Sequence, residues 1–334
     1  MTRALRFHAG QPARPVDPNE LPDLPGGGIW CDVQRAELDR PAAAALQAWL
    51  EALGPSTAQR LRQEDPRRIA IAQPTFVHIR LPIPDPTVPA RTPPTGRRRR
   101  PEPPAAVASI PLDVIVGEGF LLTLADRPLP ALEQTFAAYA KADAQAAGPD
   151  FALYHLLVAA LDAAFTAADR LVAAAEEVDE RLVRLSEAHL LSRIVAVRHR
   201  ALRLRGLLDP ARDGLRLLSA AGQAGAVAAE VRPYLDDLAR ATEARLEAIE
   251  SVRAGMGEAV EAYTSVQSTE MNRVMRIFTV VAVVLAPPML IASIYGMNFI
   301  MPEYGWVHGY SWALALMLAS SFLLWAYFHV RRWL

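Results

Sequence analysis

Apolar positions follow three rhythms along this chain, and each predicts a different kind of structure. In the first 149 residues they come as short β-prone runs between turn residues. Gly28-Ile-Trp-Cys-Asp-Val33 reads as a strand, as do Ile69-Ala-Ile71 and Phe76-Val-His-Ile79. Leu112 to Leu124 gives two more strands around a Gly117-Glu-Gly119 turn. Two helices fall among them. Arg40 to Leu53 puts Leu46, Trp49, Leu50 and Leu53 at helical spacing, and Leu129 to Gln145 is the other. Residues 1–28, rich in Pro and Gly, read as a loose lead-in, and Pro82 to Pro104 as a loop. Residues 29–148 are thus expected to form an α/β domain of undetermined strand order.

From Asp150 the period becomes helical. Leu153, Leu156, Leu157, Leu161 and Phe165, continued by Leu171, Val178 and Leu185, predict one helix from Asp150 to about Ala188. A second is expected from His189 to Leu208, ending near Asp209-Pro210, and a third from Arg212 to Ala221. After Pro233 no proline occurs until Pro287, and Leu235, Leu238, Leu246, Ile249, Val252 and Met256 keep the helical period. Gly255 and Gly257 weaken this last helix by about 1 kcal/mol each without breaking it. About 60 residues at 1.5 Å of rise predict a rod of roughly 90 Å.

The third rhythm is continuous apolarity. Between Arg276 and Glu303 there is no Asp, Glu, Lys or Arg, and between Glu303 and Arg331 again none. Each stretch can span the hydrocarbon core, which needs roughly 20 apolar residues. Three regions result: an α/β domain over 1–149, a helical stalk over 150–275, and a two-helix transmembrane domain over 276–334. The fold class is therefore an α+β membrane protein. Arg273 and Arg276 flank the first span, Arg331 and Arg332 follow the second, and the intervening loop carries only Glu303. The positive-inside rule puts both termini in the cytoplasm and the loop outside, in an inner or plasma membrane. The residues from Met1 to Glu20 have no apolar signal-peptide core, in agreement with a cytoplasmic soluble part.

Composition removes several alternatives. A single cysteine, Cys31, excludes an internal disulfide and a cysteine metal cage and reads as an inert strand residue. The basic run Arg97 to Arg100 lies among prolines and reads as a solvated loop, so no nucleic-acid partner is expected. There is no phosphate-binding glycine loop, no His-Glu-x-x-His and no Gly-x-Ser-x-Gly elbow. His155, His189 and His199 are spaced singly along helical stretches, and His308 and His329 mark the ends of the second span. The acidic pairs Glu176-Glu177 and Asp179-Glu180 read as solvated faces. No catalytic residue and no cofactor is expected.

The chemistry is concentrated on one face of the first span. Steps of three and four residues join Ser268, Asn272, Met275, Thr279, Ala282, Ala286, Met289 and Ser293, all small, polar or Met. Val280, Val284, Leu285, Leu290 and Ile291 occupy the other faces. Such a stripe suits either close helix packing or the lining of a pore made by several copies. Pro287 and Pro288 interrupt the span and free the carbonyls of Val283 and Val284, which protein or water must satisfy. At the outer end, Gly296 permits a helix end or a positive φ, and Asn298 offers a neutral amide. A ring of such amides, one per copy, can hold a hydrated cation without stripping it, which suits magnesium. Glu303 adds negative potential at the mouth.

Tyr295-Gly-Met-Asn-Phe299, followed by Met301-Pro-Glu303, Trp306 and Gly309-Tyr310, resembles the CorA family of magnesium transporters. Asn272-Arg-Val-Met275 with Thr279, the intramembrane Pro288 and the Arg332-Trp333 ending are similar to the same family's pattern. The resemblance implies a funnel-shaped homopentamer in the lipid bilayer with a central pore. Gly296, Met297 and Asn298 would be its selectivity filter, Asn272 its inner polar ring, and Met275 to Met289 its conduit and gate. The cargo implied is a divalent cation, magnesium above all, with cobalt and nickel. The chain departs from the pattern in its small Ala286 and in lacking a Leu-Glu-Asp segment, to which Gln63-Glu-Asp-Pro66 comes nearest. The zinc transporters of the ZntB type, read here as a proton-coupled alternative, usually lack Met-Pro-Glu. A membrane-anchored sensory or structural protein is the alternative of another class.

Overall fold

The computed structural model describes residues 2–8, 11–17, 28–37, 70–72, 76–84, 109–141, 148–184, 190–222, 226–298, 302–331 and 333. The expected helix Arg40 to Leu53, the run Arg97 to Arg100 and Gln63 to Pro66 lie outside them. The chain divides into two compact units, Met1–Ala259 and Val260–Leu334.

The first unit is built on a seven-stranded mixed sheet: β1 (Arg3–His8), β2 (Gln11–Val16), β3 (Gly28–Gln34), β4 (Ala70–Ala72), β5 (Phe76–Pro84), β6 (Ser109–Gly117) and β7 (Phe120–Ala125). Their order across the sheet is β2-β1-β3-β7-β6-β5-β4. Only β3 and β7 pair in parallel, with Asp32 beside Thr123, and the other neighbours are antiparallel. The β6–β7 hairpin turns at Gly119, whose φ of 75° is the left-handed value that glycine adopts without a Cβ clash.

Within residues 1–28, expected as a loose lead-in, Arg3–His8 and Gln11–Val16 are strands, β1 and β2. The prolines mislead at this point: β2 carries Pro12 and Pro15, but it is an edge strand, where a missing N–H costs no ladder bond on the open side. The expected loop at Pro82 is also a strand for three more residues. Pro82 lies opposite Pro111 in register, so two of this ladder's three missing donors coincide at one rung, and the third, Pro84, falls at the strand end opposite Ser109.

Helices α1 (Pro130–Ala140), α2 (Pro149–Arg184) and α3 (Leu190–Gly222) belong to this unit. Trp30, fully buried, meets Phe136 and Tyr139 of α1 edge-on at centroid separations of 5.0 and 6.2 Å. Gly214 of α3 lies over Ile79 and Leu81 of β5. These contacts all fall on one face of the sheet. The opposite face holds a buried cluster of Ala4, Cys31, Val33, Phe76, Ile115, Leu122 and Leu124.

One helix, α3, runs where two were expected, straight through Asp209-Pro210. A proline inside a helix costs about 3 kcal/mol. On either side of it Leu204, Leu207, Leu208, Ala211, Leu215 and Leu218 are buried on one continuous face, and this burial outweighs the break. The carbonyl that Pro210 deprives belongs to Gly206, which is exposed and open to water.

Helix α4 spans Arg232–Tyr295, 64 residues through Gly255, Gly257, Pro287 and Pro288. In the first unit it buries Leu235, Leu238, Leu246, Ile249, Val252, Met256 and Ala259, the periodic positions of its sequence. Arg245 lies 4.1 Å from the Phe165 ring centroid on α2, and Arg216 of α3 pairs with Glu243 at 2.5 Å. The second unit holds the rest of α4, a short 3-10 turn at Pro302–Gly305 and α5 (Gly309–Val330).

Three described helices are long and apolar enough to cross a membrane: α2 as far as Leu182, α4 and α5. Burial separates them. The apolar stretch of α2 is 44% buried and supplies core to the sheet unit, whereas those of α4 and α5 are 6% and 0% buried. Apolar surface left uncovered on this scale fits lipid or further copies rather than water.

Candidate functional site

The C-terminal part of α4 has two opposite faces. Val280 is buried, only 2% exposed, and Val284, Pro287, Pro288, Ile291 and Tyr295 on the same side are half-buried. On this side α5 reaches α4, with the Ser321 hydroxyl donating to the Val284 carbonyl at 3.2 Å. At 100° per residue, the stripe Thr279, Ala282, Ala286, Met289 and Ser293 lies roughly 170° around the helix from that face. Every one of these residues is exposed, Met289 at 69%. Asn272 and Met275 continue the stripe toward the N-terminal end of α4, also exposed. The Thr279 hydroxyl is turned onto its own helix, donating to the Met275 carbonyl at 2.8 Å. Leu285 and Leu290 flank the stripe and are exposed as well.

From Asn272 to Ser293 the stripe covers roughly 30 Å of helix axis, so its residues do not converge on one ion within one copy. Among the described residues no group of three or more His, Cys, Asp or Glu could hold a metal. What one copy offers is a strip of small, weakly polar surface.

Helix α4 ends at Tyr295. Gly296 N–H still donates to Ala292 at 3.0 Å, and Met297 N–H shifts to Ile294 at 3.2 Å, tightening the last turn. Gly296 makes this end without a left-handed φ; a Cβ there would meet the Ala292 carbonyl at 3.1 Å. Met297 and Asn298 follow, both exposed. Phe299 and Met301 lie outside the described residues. Glu303 is half-buried in the 3-10 turn, and its carbonyl accepts Trp306 N–H at 3.1 Å.

Sequence reasoning missed Ser321. The available signal was the pairing of an intramembrane proline with a hydroxyl on the neighbouring span. At the far end of the helix pair from Gly296, Arg276 lies 5.9 Å from the Trp333 ring centroid, joining the start of one apolar stretch to the residues after the other.

The sheet unit contains a buried ionic network. Asp113, fully buried, accepts from Arg80 Nε at 2.7 Å and His78 Nε2 at 2.8 Å and pairs with Arg35, which also binds Asp126 at 2.5 Å. Burial opposes the charge on Asp113, but the bonds from His78 and Arg80 outweigh it and hold the carboxyl at about 2. Cys31 is buried, and desolvation together with the Asp32 charge pushes its thiol far out of the reactive range. His155 accepts or donates through Nδ1 to the Tyr139 hydroxyl at 2.7 Å, a helix-face contact. Glu177 is exposed and pairs with Arg181 at 2.5 Å.

A mixed-sheet unit, a helix that runs on from it into an apolar half, and a second apolar helix that follows a Gly-Met-Asn turn make up a chain with two C-terminal helices long and apolar enough to cross a membrane. Residues 96–332 match the family model described as CorA-like Mg2+ transporter protein. The chain belongs to that family, whose members are transporters and not enzymes. It is 28% identical over 186 residues to a cobalt/magnesium transport protein CorA of Thermotoga maritima, covering 55% of this chain and 53% of that one. The chain thus spans about half the length of this relative. Its fold is similar to the complete CorA magnesium transporter of Methanocaldococcus jannaschii, with a TM-score of 0.72 at 20% identity over 100% of this chain and 99% of that one. It is also similar to the ZntB cytoplasmic domain of Vibrio parahaemolyticus, with a TM-score of 0.56 at 13% identity over 80% and 98%.

Proposed function

We propose that several copies of this chain, five by analogy with the family, surround a central path for divalent cations, and that magnesium is the principal cargo. The observation that carries this reading is the opposition of the two faces of α4. The face that α5 covers is bulky and aliphatic, while the opposite face is small, polar and uncovered. Two spans cannot enclose a water-filled path by themselves, so the uncovered stripes face one another around an axis. Asn272, Met275, Thr279, Ala282, Ala286, Met289 and Ser293 then line the path.

Gly296, Met297 and Asn298 form the outer filter. The Asn298 amide oxygens hold the waters of a hydrated cation, which matches an ion that dehydrates reluctantly. Glu303 raises the local cation concentration. Cobalt and nickel, similar in charge and size, enter by the same route. The protein sits in the inner or plasma membrane with both termini in the cytoplasm, as Arg273, Arg276 and Arg331 at the inner ends support.

The test is uptake by purified protein in proteoliposomes carrying a magnesium-sensitive dye. Wild-type protein admits magnesium, and Asn298→Ala abolishes uptake or its preference over calcium. Unchanged uptake and selectivity in the variant sink the filter assignment. Zinc uptake that acidifies the vesicle interior, with no magnesium uptake, assigns the chain to proton-coupled zinc transport instead.

A further inference from the structure

We propose that Ser321 of α5 is a positioning residue of the permeation path, holding the proline-broken turn of α4 so that its outer half stays in line. This rests on the transport reading above. Pro288 has no N–H, so the carbonyl of Val284, four residues earlier, loses its helical donor. In hydrocarbon no water replaces that donor. The Ser321 hydroxyl does, at 3.2 Å, and it is a bond between helices 37 residues apart in sequence.

The neighbouring serine shows that this use is particular. Ser320 donates at 2.9 Å to Met317 on its own helix, the ordinary habit of a helical serine. Ser321, one residue on, instead spends its hydroxyl on the other span. The bond lies on the α5-facing side of α4, away from the stripe, so Ser321 acts on the path only through the α4 backbone.

Its position gives it leverage. Met289, Ser293, Gly296, Met297 and Asn298 all follow the two prolines, so they are carried by the segment whose hinge the bond closes. Without the bond, the Val284 carbonyl is left unsatisfied in the membrane, and the outer half of α4 can tilt to find another donor. The residues that capture the cation, Asn298 and Glu303, keep their own chemistry. The expected signature is therefore a lower maximal rate rather than a weaker apparent affinity.

The experiment is a double-mutant cycle on the full-length protein in proteoliposomes, read as magnesium uptake against concentration. Ser321→Ala lowers the maximal rate about fivefold, the factor that corresponds to an interhelical bond of about 1 kcal/mol, with the half-saturating concentration unchanged. Ser321→Thr keeps the hydroxyl and retains the rate. Pro288→Ala restores a backbone N–H to the Val284 carbonyl, and adding Ser321→Ala to it has no further effect. An equal loss in both backgrounds overturns the proposal, as does no loss in the wild-type background. Wild-type transport with no coupling removes this inference alone. Wild-type protein that admits no divalent cation removes the transport reading and this role with it, and the same cycle read on thermal unfolding in detergent still decides whether the bond ties the helices.

Discussion

A Cβ on Gly309 would lie 2.6 Å from the carbonyl oxygen of Glu303, well inside van der Waals contact. Helix α5 can start this close to the Pro302–Gly305 turn only with glycine as its first residue. The same carbonyl accepts Trp306 N–H at 3.1 Å, and Gly309 N–H donates to Trp306 at 3.2 Å. The loop that presents Glu303 is thus folded directly onto the start of the second span. Gly309→Ala is predicted to push the turn off α5 and displace Glu303. Uptake measured against cation concentration is expected to require several-fold more magnesium for half-saturation, with assembly in detergent unchanged.

Asp113 predicts an acid limit to the sheet unit. Its folded carboxyl titrates at about 2, below the usual 3.8, so the folded state binds its proton less readily than the unfolded chain does. The stabilisation is fully present above the usual value and disappears as pH falls through the folded value. At 1.36 kcal/mol per pH unit it amounts to roughly 2 kcal/mol. The thermal midpoint in detergent should fall between about pH 4 and pH 2, and less steeply in Asp113→Asn. At neutral pH, Asp113→Leu takes the shared carboxylate away from His78, Arg80 and Arg35, although Arg35 keeps Asp126, and is expected to cost about 3–5 kcal/mol.

Gly255 and Gly257 lie in the interior of α4, and a Cβ at either would meet nothing within 4 Å. Alanine at each should stabilise the helix by about 0.5–1 kcal/mol through reduced freedom of the unfolded chain. A higher thermal midpoint checks this. If uptake also slows in the double variant, bending at this pair of glycines belongs to the transport cycle. Unchanged uptake confines their effect to stability.

Much of this arrangement was legible in the sequence where one physical term dominates. The α4 periodicity from Leu235 to Met256 and the stripe from Asn272 to Ser293 are local patterns, and the helix keeps both. The β6 and β7 strands around Gly117-Glu-Gly119 are local as well. Prolines misled wherever tertiary context overrides them. Pro12 and Pro15 are tolerated because β2 is at the sheet edge, and Pro210 because Leu207, Leu208 and Ala211 are buried around it. Neither condition is visible before the sheet order and packing are known. Pro288 makes it legible that the Val284 carbonyl lacks its helical donor, but no spacing rule says which hydroxyl of the other helix replaces it. The parallel pairing of β3 with β7 depends on a contact between strands about 90 residues apart, which local pattern does not encode.

Thiol accessibility during transport tests the central claim, that the uncovered face of α4 lines the cation path. The native Cys31 is buried and its thiol is pushed far up, so it supplies little background reaction. Ala286→Cys and Met289→Cys put a thiol on the stripe, and Val280→Cys puts one on the buried face against α5. With a charged, membrane-impermeant thiol reagent added to transporting proteoliposomes, magnesium uptake should be blocked in the two stripe variants and unaffected in Val280→Cys. Equal reaction at all three positions, or continued uptake after the stripe cysteines have been fully modified, would contradict a path along this face.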